Sequence, residues 1–274
     1  MCKDGQQLQC VPRTSNPRAG GWLAGPRLPP ENSSCVPAQH HLDPSSDAAA
    51  IKVIAPGGGI MSALWRCIEG DWKEFAAAWT RGYDENTLRI AQGGEGPSSV
   101  DVMFREILEE ILTTEKWKAL SDKLTNQARD ELNLVWHRLD GWPDSTPGLY
   151  NLKKEVIIAT LSNGNVRLLV DMAKHADLPW DTIFSAELFG SFKPNPKVFL
   201  GAVKHLSLEP QNCALVAAHA DDLRAAAGVG MRTVYVPRPG EDVGVGEVKS
   251  KAEGGNVDVV VQSFEELAKL LTGN

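Results

Sequence analysis

Three short stretches hold the residues best suited to chemistry. Ser162-Asn163-Gly164-Asn165 ends the apolar run Val156 to Leu161. Lys193-Pro194-Asn195-Pro196 lies downstream, and His219-Ala220-Asp221-Asp222 follows the apolar run Cys213 to Ala217. Ser and Asn at a strand-to-helix turn offer hydroxyl, amide and backbone N–H groups to an anion. A Lys on a loop stiffened by prolines is a point charge suited to a carboxylate or a phosphate. An Asp from the third stretch is able to pair with that Lys and fix its place. Each piece alone also has a plain structural reading: Ser162 and Asn163 as a turn and N-cap, Lys193 as a solvated surface cation, Asp221 and Asp222 as helix caps.

The elements around these stretches bring them together. Val156 to Leu161 reads as a strand buried on both faces, and Gly164 permits the turn after it. Asn165 to His175 shows helical spacing through Val166, Leu169, Val170 and Met172. A second apolar run, Ile183 to Phe189, precedes Lys193, and the prolines start a helix over Lys197 to Leu206. Leu223 to Gly228 is a good helix former with a Gly stop. After a loop running to about Asn256, Val257 to Val261 is a last apolar run, and Ser263 caps a helix over Phe264 to Leu271. Alternating runs and helices predict a Rossmann-like α/β core with a parallel sheet. In such a sheet ligands sit in the crevice at the carboxyl ends of the strands. Ser162, Lys193 and Asp222 are therefore expected together, with Lys193 and Asp222 in salt-bridge reach.

Upstream the periodicity is helical. Ser62 to Arg89 puts Phe75, Ala76, Trp79 and Tyr83 on one stripe. A helix from Ser99 has Val102, Ile107, Leu108 and Ile111 apolar, and Asn126 to Leu139 has Leu132, Leu134, Val135 and Trp136. These read as the helices of a cap over the crevice, with Trp79, Trp136 and Trp142 as packing residues that also make it apolar. The expected organisation is a disordered tail over 1–49, a first core segment over 50–70, a helical cap over 71–150 and the core over 151–274. The tail is rich in Pro, Gly, Ser and Asn. A second reading makes it non-native sequence from a misassigned gene start.

The chain has 274 residues, a net charge of −7 and 42% hydrophobic residues, enough for one ordinary core and a small second domain. The acidic balance argues against nucleic acid or an anionic membrane surface as partner. Cys2, Cys10, Cys35, Cys67 and Cys213 fit neither a disulfide framework nor zinc spacing, which points to a reducing cytoplasm. No metal and no cofactor are expected, because hard cations want clustered oxygen ligands and Asp221 and Asp222 have no matching acid on the first strand. The expected partner is a small organic acid, and a homodimer is left open.

The three stretches, with Trp136 to Asp144, Leu178-Pro179-Trp180-Asp181, Ser185 to Phe189 and Val234 to Arg238, resemble the haloacid dehalogenase superfamily, most closely type II 2-haloacid dehalogenases. The resemblance runs from about Asp71 to about Arg238. It implies that Ser162 and Asn163 face the substrate carboxylate and the nucleophile, and that Lys193 is the family's lysine. It implies too that Asp222 orients that lysine and the hydrolytic water. His219 stands where the family has Asn. The family's halide-side Arg follows a Trp; here Arg81 comes one place too late after Trp79-Thr80, and Arg66 after Trp65 is another imperfect match.

The nucleophile is the largest departure. The family's first strand ends in Asp-x-Phe/Tyr-Gly-Thr, whose Asp displaces halide to form an ester that water then hydrolyses. This sequence has no such motif. The nearest match, Ile51 to Ile60, has Pro56 at the Asp position. Three functions therefore compete: a hydrolase of the haloacid dehalogenase type with its nucleophile missing, an inactive relative that binds a ligand or a protein, and, ranked below both, a magnesium-dependent phosphatase.

Overall fold

A computed structural model describes residues 7–10, 72–242 and 246–272. Of the expected tail and first core segment, all but Gln7–Cys10 lie outside the described residues, Arg66 and Pro56 among them. In chain order the elements are β1 (Gln7–Cys10), α1 (Trp72–Ala91), α2 (Val100–Thr113), α3 (Lys118–Ser121) and α4 (Asn126–Asn133). A 3-10 segment (Leu134–Arg138) leads to α5 (Ser145–Leu152), β2 (Ile157–Ser162), α6 (Val166–His175), β3 (Thr182–Ser185) and α7 (Pro196–His205). Then come β4 (Cys213–Ala217), α8 (Ala220–Gly228), β5 (Arg232–Tyr235), β6 (Val259–Val260) and α9 (Phe264–Thr272).

The strands form one sheet in the order β3-β2-β1-β4-β5-β6. β2 with β3, β4 with β5, and β5 with β6 run parallel, as expected. β1 was not expected: Gln7–Cys10 fell in the tail. It pairs antiparallel with both β2 and β4, Gln7 lying opposite Thr160 and Val216. The physical reason is backbone satisfaction. β2 and β4 are core strands, and their facing N–H and C=O groups need a partner between them. The strand in that central place has the residues Gln, Leu, Gln and Cys, with no carboxylate.

Period-two alternation divides β2 and β4 between two buried clusters. Ala159, Leu161, Cys213, Leu215 and Ala217 pack with α6, α7, α8 and the cap helices, through Leu168, Val198, Phe199, Leu223 and Ala226. Ile158, Ala214 and Val216 pack on the other face with Leu149, Leu152, Phe264 and Leu267 from α5 and α9. Helices thus cover both faces, as buried parallel strands require. α5, which fell at the end of the expected cap, lies against α9 instead. A Cβ added at Gly148 would meet the Phe264 Cβ at 2.3 Å, so this closeness needs the glycine.

The cap packs around aromatic rings. Trp79 is fully buried, donates its indole N–H to Phe104 O at 2.8 Å and meets Trp136 edge-on at 5.3 Å between ring centroids. Phe104 stacks on Trp136 at 4.7 Å. Two expected apolar positions differ. Val102 and Leu134 are exposed, Leu134 because the helix gives way to the tighter 3-10 segment there.

Asp144 joins three parts of the chain. Its carboxylate accepts both guanidinium ends of Arg238, at 2.8 and 2.9 Å, and the Phe264 backbone N–H at 2.8 Å. Arg238 also lies over Trp142 and Phe264. Burial works against the Asp144 charge, but the hydrogen bonds from Arg238 and Phe264 outweigh it and hold its pKa below the usual carboxylate value. Asp144→Ala leaves Arg238 buried without its carboxylate and is expected to cost about 3 kcal/mol in urea unfolding at neutral pH. Because the folded pKa is depressed, this stabilisation is complete above the ordinary carboxylate pKa and is lost as pH falls through the depressed one. The difference between wild type and variant should therefore shrink in acid.

Candidate active site

The site grows from the carboxyl end of β2. The strand ends at Ser162, fully buried, whose Oγ accepts the Gly164 backbone N–H at 3.0 Å. Asn163, also buried, turns its Oδ1 to the Lys193 backbone N–H at 2.7 Å. Ser185, at the end of β3, donates its hydroxyl to Gly164 O at 2.7 Å. Side chains thus take over from the sheet ladder where the backbone turns away from it.

Lys193 stands in this turn. It is 4% exposed, and its ammonium donates to Leu161 O at 3.2 Å. The loop that brings it there is fixed at both ends. Asn195 caps α7 by accepting the Lys197 N–H at 3.0 Å, and its amide donates to Ala91 O at 2.9 Å, at the end of the first cap helix. A lysine is almost never buried without a counter-charge. An ammonium has three donors, and among the described residues one carbonyl receives one of them. That leaves two donors for an anion.

The structure therefore brings Ser162, Asn163 and Lys193 together, as expected from the sequence. It arranges the third stretch differently. The bonds of Lys193 run to Leu161 and Asn163, and the expected contact with Asp222 is not among them. Asp222 acts electrostatically on His219, at the end of β4. The His219 ring pairs with Glu241 at 2.7 Å, both side chains being largely buried. Asp242, with a left-handed φ of 49°, accepts the Ala220 N–H at 2.7 Å and so satisfies a backbone donor at the start of α8. Tyr235 completes the group, its phenol pushed up by burial and by Asp242 and Glu241. An open groove lined in part by Tyr235, Arg238, Glu241 and Asp242 runs beside it and does not touch Ser162, Asn163 or Lys193.

Arg81 is exposed. At 100° per residue it points away from the stripe of Phe75, Trp79 and Tyr83 that packs the cap. No contact among the described residues ties it to Lys193. Glu241 was missed in the sequence because a glutamate in a Pro- and Gly-rich loop has no periodicity to mark it. Nor did anything single out His137, which lies buried between Asp101 and Asp171. Among the described residues no group of His, Cys, Asp and Glu side chains is arranged to hold a metal ion. No helix among them is long and apolar enough to cross a membrane.

Comparison with known proteins gives this geometry a family. The haloacid dehalogenase-like hydrolase family matches residues 65–230. The chain is 32% identical over 115 residues to (S)-2-haloacid dehalogenase 4A of Burkholderia cepacia, covering 41% of this chain and 50% of that protein. It spans about half the length of the curated relatives it matches. Among solved structures, the L-2-haloacid dehalogenase PA0810 aligns at 32% identity with a TM-score of 0.67, over 82% of this chain and 92% of that one. The defluorinating L-2-haloacid dehalogenase Rha0230 aligns at 33% and 0.67, over 82% and 87%. The chain belongs to the haloacid dehalogenase-like hydrolases, and its sheet and helices form their α/β fold.

Burial disfavours a charge on His219, but Glu241 first, then Asp222 and Asp242, outweigh it and raise the pKa above 6.5. Glu241→Gln removes the largest of these stabilising charges. Ring-proton NMR is expected to show the His219 midpoint above 6.5 in the wild type and displaced downward in the variant. Because the folded pKa is raised, the pair stabilises fully below the ordinary histidine pKa and ceases to do so as pH rises through the raised one.

Proposed function

We propose that the crevice binds the carboxylate of a small 2-substituted organic acid, a 2-haloacid by analogy with the relatives' names. Lys193 receives the anion, and Ser162 and Asn163 line its place; Asp222 with His219 stands at the end of β4, with β1 between β2 and β4. The observation that carries this is the buried Lys193 ammonium, which among the described residues meets one carbonyl at the carboxyl end of β2 and keeps two donors over. A carboxylate supplies the counter-charge that such a cation needs. Arg81 serves the halide side only if α1 turns or shifts on ligand binding. The reading includes a cytoplasmic, metal-independent protein.

Turnover is a separate matter. Dehalogenation through an aspartyl ester needs an attacking carboxylate aimed into the crevice. The central strand has none, and the sequence lacks the Asp-x-Phe/Tyr-Gly-Thr motif. This favours a second reading, in which the chain as given is a binding member of its family and no catalyst. Positioning by Ser162, Asn163 and Lys193 orients an acid but does not replace a nucleophile.

Calorimetric titration with 2-chloropropionate, paired with a chloride-release assay, tests both statements. The expected result is saturable binding that Lys193→Met weakens at least tenfold, about 1.4 kcal/mol or more, with chloride at background. Equal binding by Lys193→Met would remove the carboxylate site. Chloride release by the unmodified chain would overturn the inactive reading.

A further inference from the structure

His137 is almost wholly buried where the cap meets the core. Both of its ring nitrogens face carboxylates: Nε2 lies 2.9 Å from Asp101 Oδ1, and Nδ1 lies 2.9 Å from Asp171 Oδ2. An ionised carboxylate accepts and does not donate, so both contacts are hydrogen bonds only when both ring nitrogens carry protons, as an imidazolium. The two acids come from different layers. Asp101 is in the first turn of α2, in the cap, and Asp171 is on α6, which packs on the sheet.

Each acid is held from behind. Arg167 donates to Asp171 Oδ2 at 2.8 Å. The Asn165 amide donates to Asp101 Oδ2 at 2.8 Å while its carbonyl accepts the Asp101 N–H at 3.3 Å. Asn133, at the end of α4, donates to Asp101 O at 2.9 Å. Asn165 belongs to the same four-residue turn as Ser162 and Asn163. The chain of contacts thus runs from His137 through Asp101 and Asn165 into the candidate site.

We propose that His137 is a protonation-dependent pin that holds this side of the cap on the core and, through Asp101 and Asn165, positions the Ser162–Asn165 turn, and that loss of its proton releases that side. His137 is a positioning residue here, since it touches no part of the crevice itself. The pin does not depend on whether the crevice turns over a substrate.

The charges around the ring decide the sign. From α2 it faces Asp101, and from α6 Asp171 with its partner Arg167. Its own segment adds Arg138, which is exposed. One turn further along α2, Arg105 is occupied by Glu109 and Asp130. Burial disfavours the charged ring, but the hydrogen bonds and charges of Asp101 and Asp171 outweigh it, and the pKa is raised above 6.5. His137 first, then Arg167, holds Asp171 below its ordinary 3.8. The pin is therefore complete below the ordinary histidine pKa and is lost as pH rises through the raised value. On the acid side it lasts until pH falls through the depressed Asp171 value. Asn195 to Ala91 O is a cap–core bond with no titrating group, whereas His175 with Asp140 also joins α6 to the segment just after Arg138. Opening on loss of the His137 proton is therefore expected beside His137, with the end of α1 held.

The test combines histidine-ring NMR with amide hydrogen exchange from about pH 6 to about pH 9, corrected for the intrinsic rate. In the wild type, His137 should titrate above 6.5. Exchange in the 3-10 segment and the first turn of α2 should rise about tenfold across that midpoint, a change of about 1.4 kcal/mol, while amides near Ala91 stay level. Asp171→Asn removes one carboxylate and should move both the ring midpoint and the exchange step to lower pH. His137→Gln should show no step. If a variant fails to fold, the wild-type curves alone decide. A His137 midpoint at or below 6.5, or exchange that follows the intrinsic rate without a step, overturns the pin.

Discussion

The turn Ser162-Asn163-Gly164-Asn165 is where this fold is joined. β2 ends there, and the backbone beyond it has no ladder to continue. Side chains therefore make the connections: Asn163 to the Lys193 N–H, Ser162 to Gly164, Ser185 to Gly164 O, and Asn165 to Asp101. Each of these bonds crosses from one element to another or closes the turn. Removing one leaves a buried donor or acceptor unmatched, which costs about 1–3 kcal/mol. The same groups that close the turn also hold the Lys193 backbone in place, so the turn and the lysine loop share one set of contacts.

Charge is handled by pairing wherever it is buried. Arg238 with Asp144, His219 with Glu241, and His137 with Asp101 and Asp171 each bridge segments far apart in the chain. Such pairs add little net stability over apolar packing, but breaking one partner away is costly. Their effect is to set which segments meet. Lys193 departs from this pattern, because a carbonyl and no carboxylate receives its ammonium among the described residues. That difference is what supports the carboxylate ligand proposed for it.

Much of this was legible in the residues. The run Cys213 to Ala217 forms β4 with those bounds, and the stripe Phe75, Ala76, Trp79 and Tyr83 is buried in the cap. These followed because period and apolar content leave few choices for a buried strand or an amphipathic helix. The convergence of Ser162, Asn163 and Lys193 followed from the rule about strand ends. The rest depended on long-range contacts that leave no local mark. His137 meets Asp101 and Asp171 across 36 and 34 residues, and Glu241 reaches His219 across 22. Gln7–Cys10 is four residues with one hydrophobic pair, too short and too polar to read as the strand at the sheet's centre.

The central claim is the proposal that a small acid binds where Ser162, Asn163 and Lys193 meet, while the strand at the centre of the sheet, Gln7–Cys10, supplies no nucleophile. An aspartyl ester, when water attacks its carbonyl carbon, leaves one oxygen of that water in the protein's carboxylate. Incubating excess protein with 2-chloropropionate in heavy-oxygen water, followed by peptide mass spectrometry, reads this directly. The account predicts that no Asp- or Glu-containing peptide gains the heavy isotope above a control without the acid. A single carboxylate that gains it would contradict the account and would name the nucleophile.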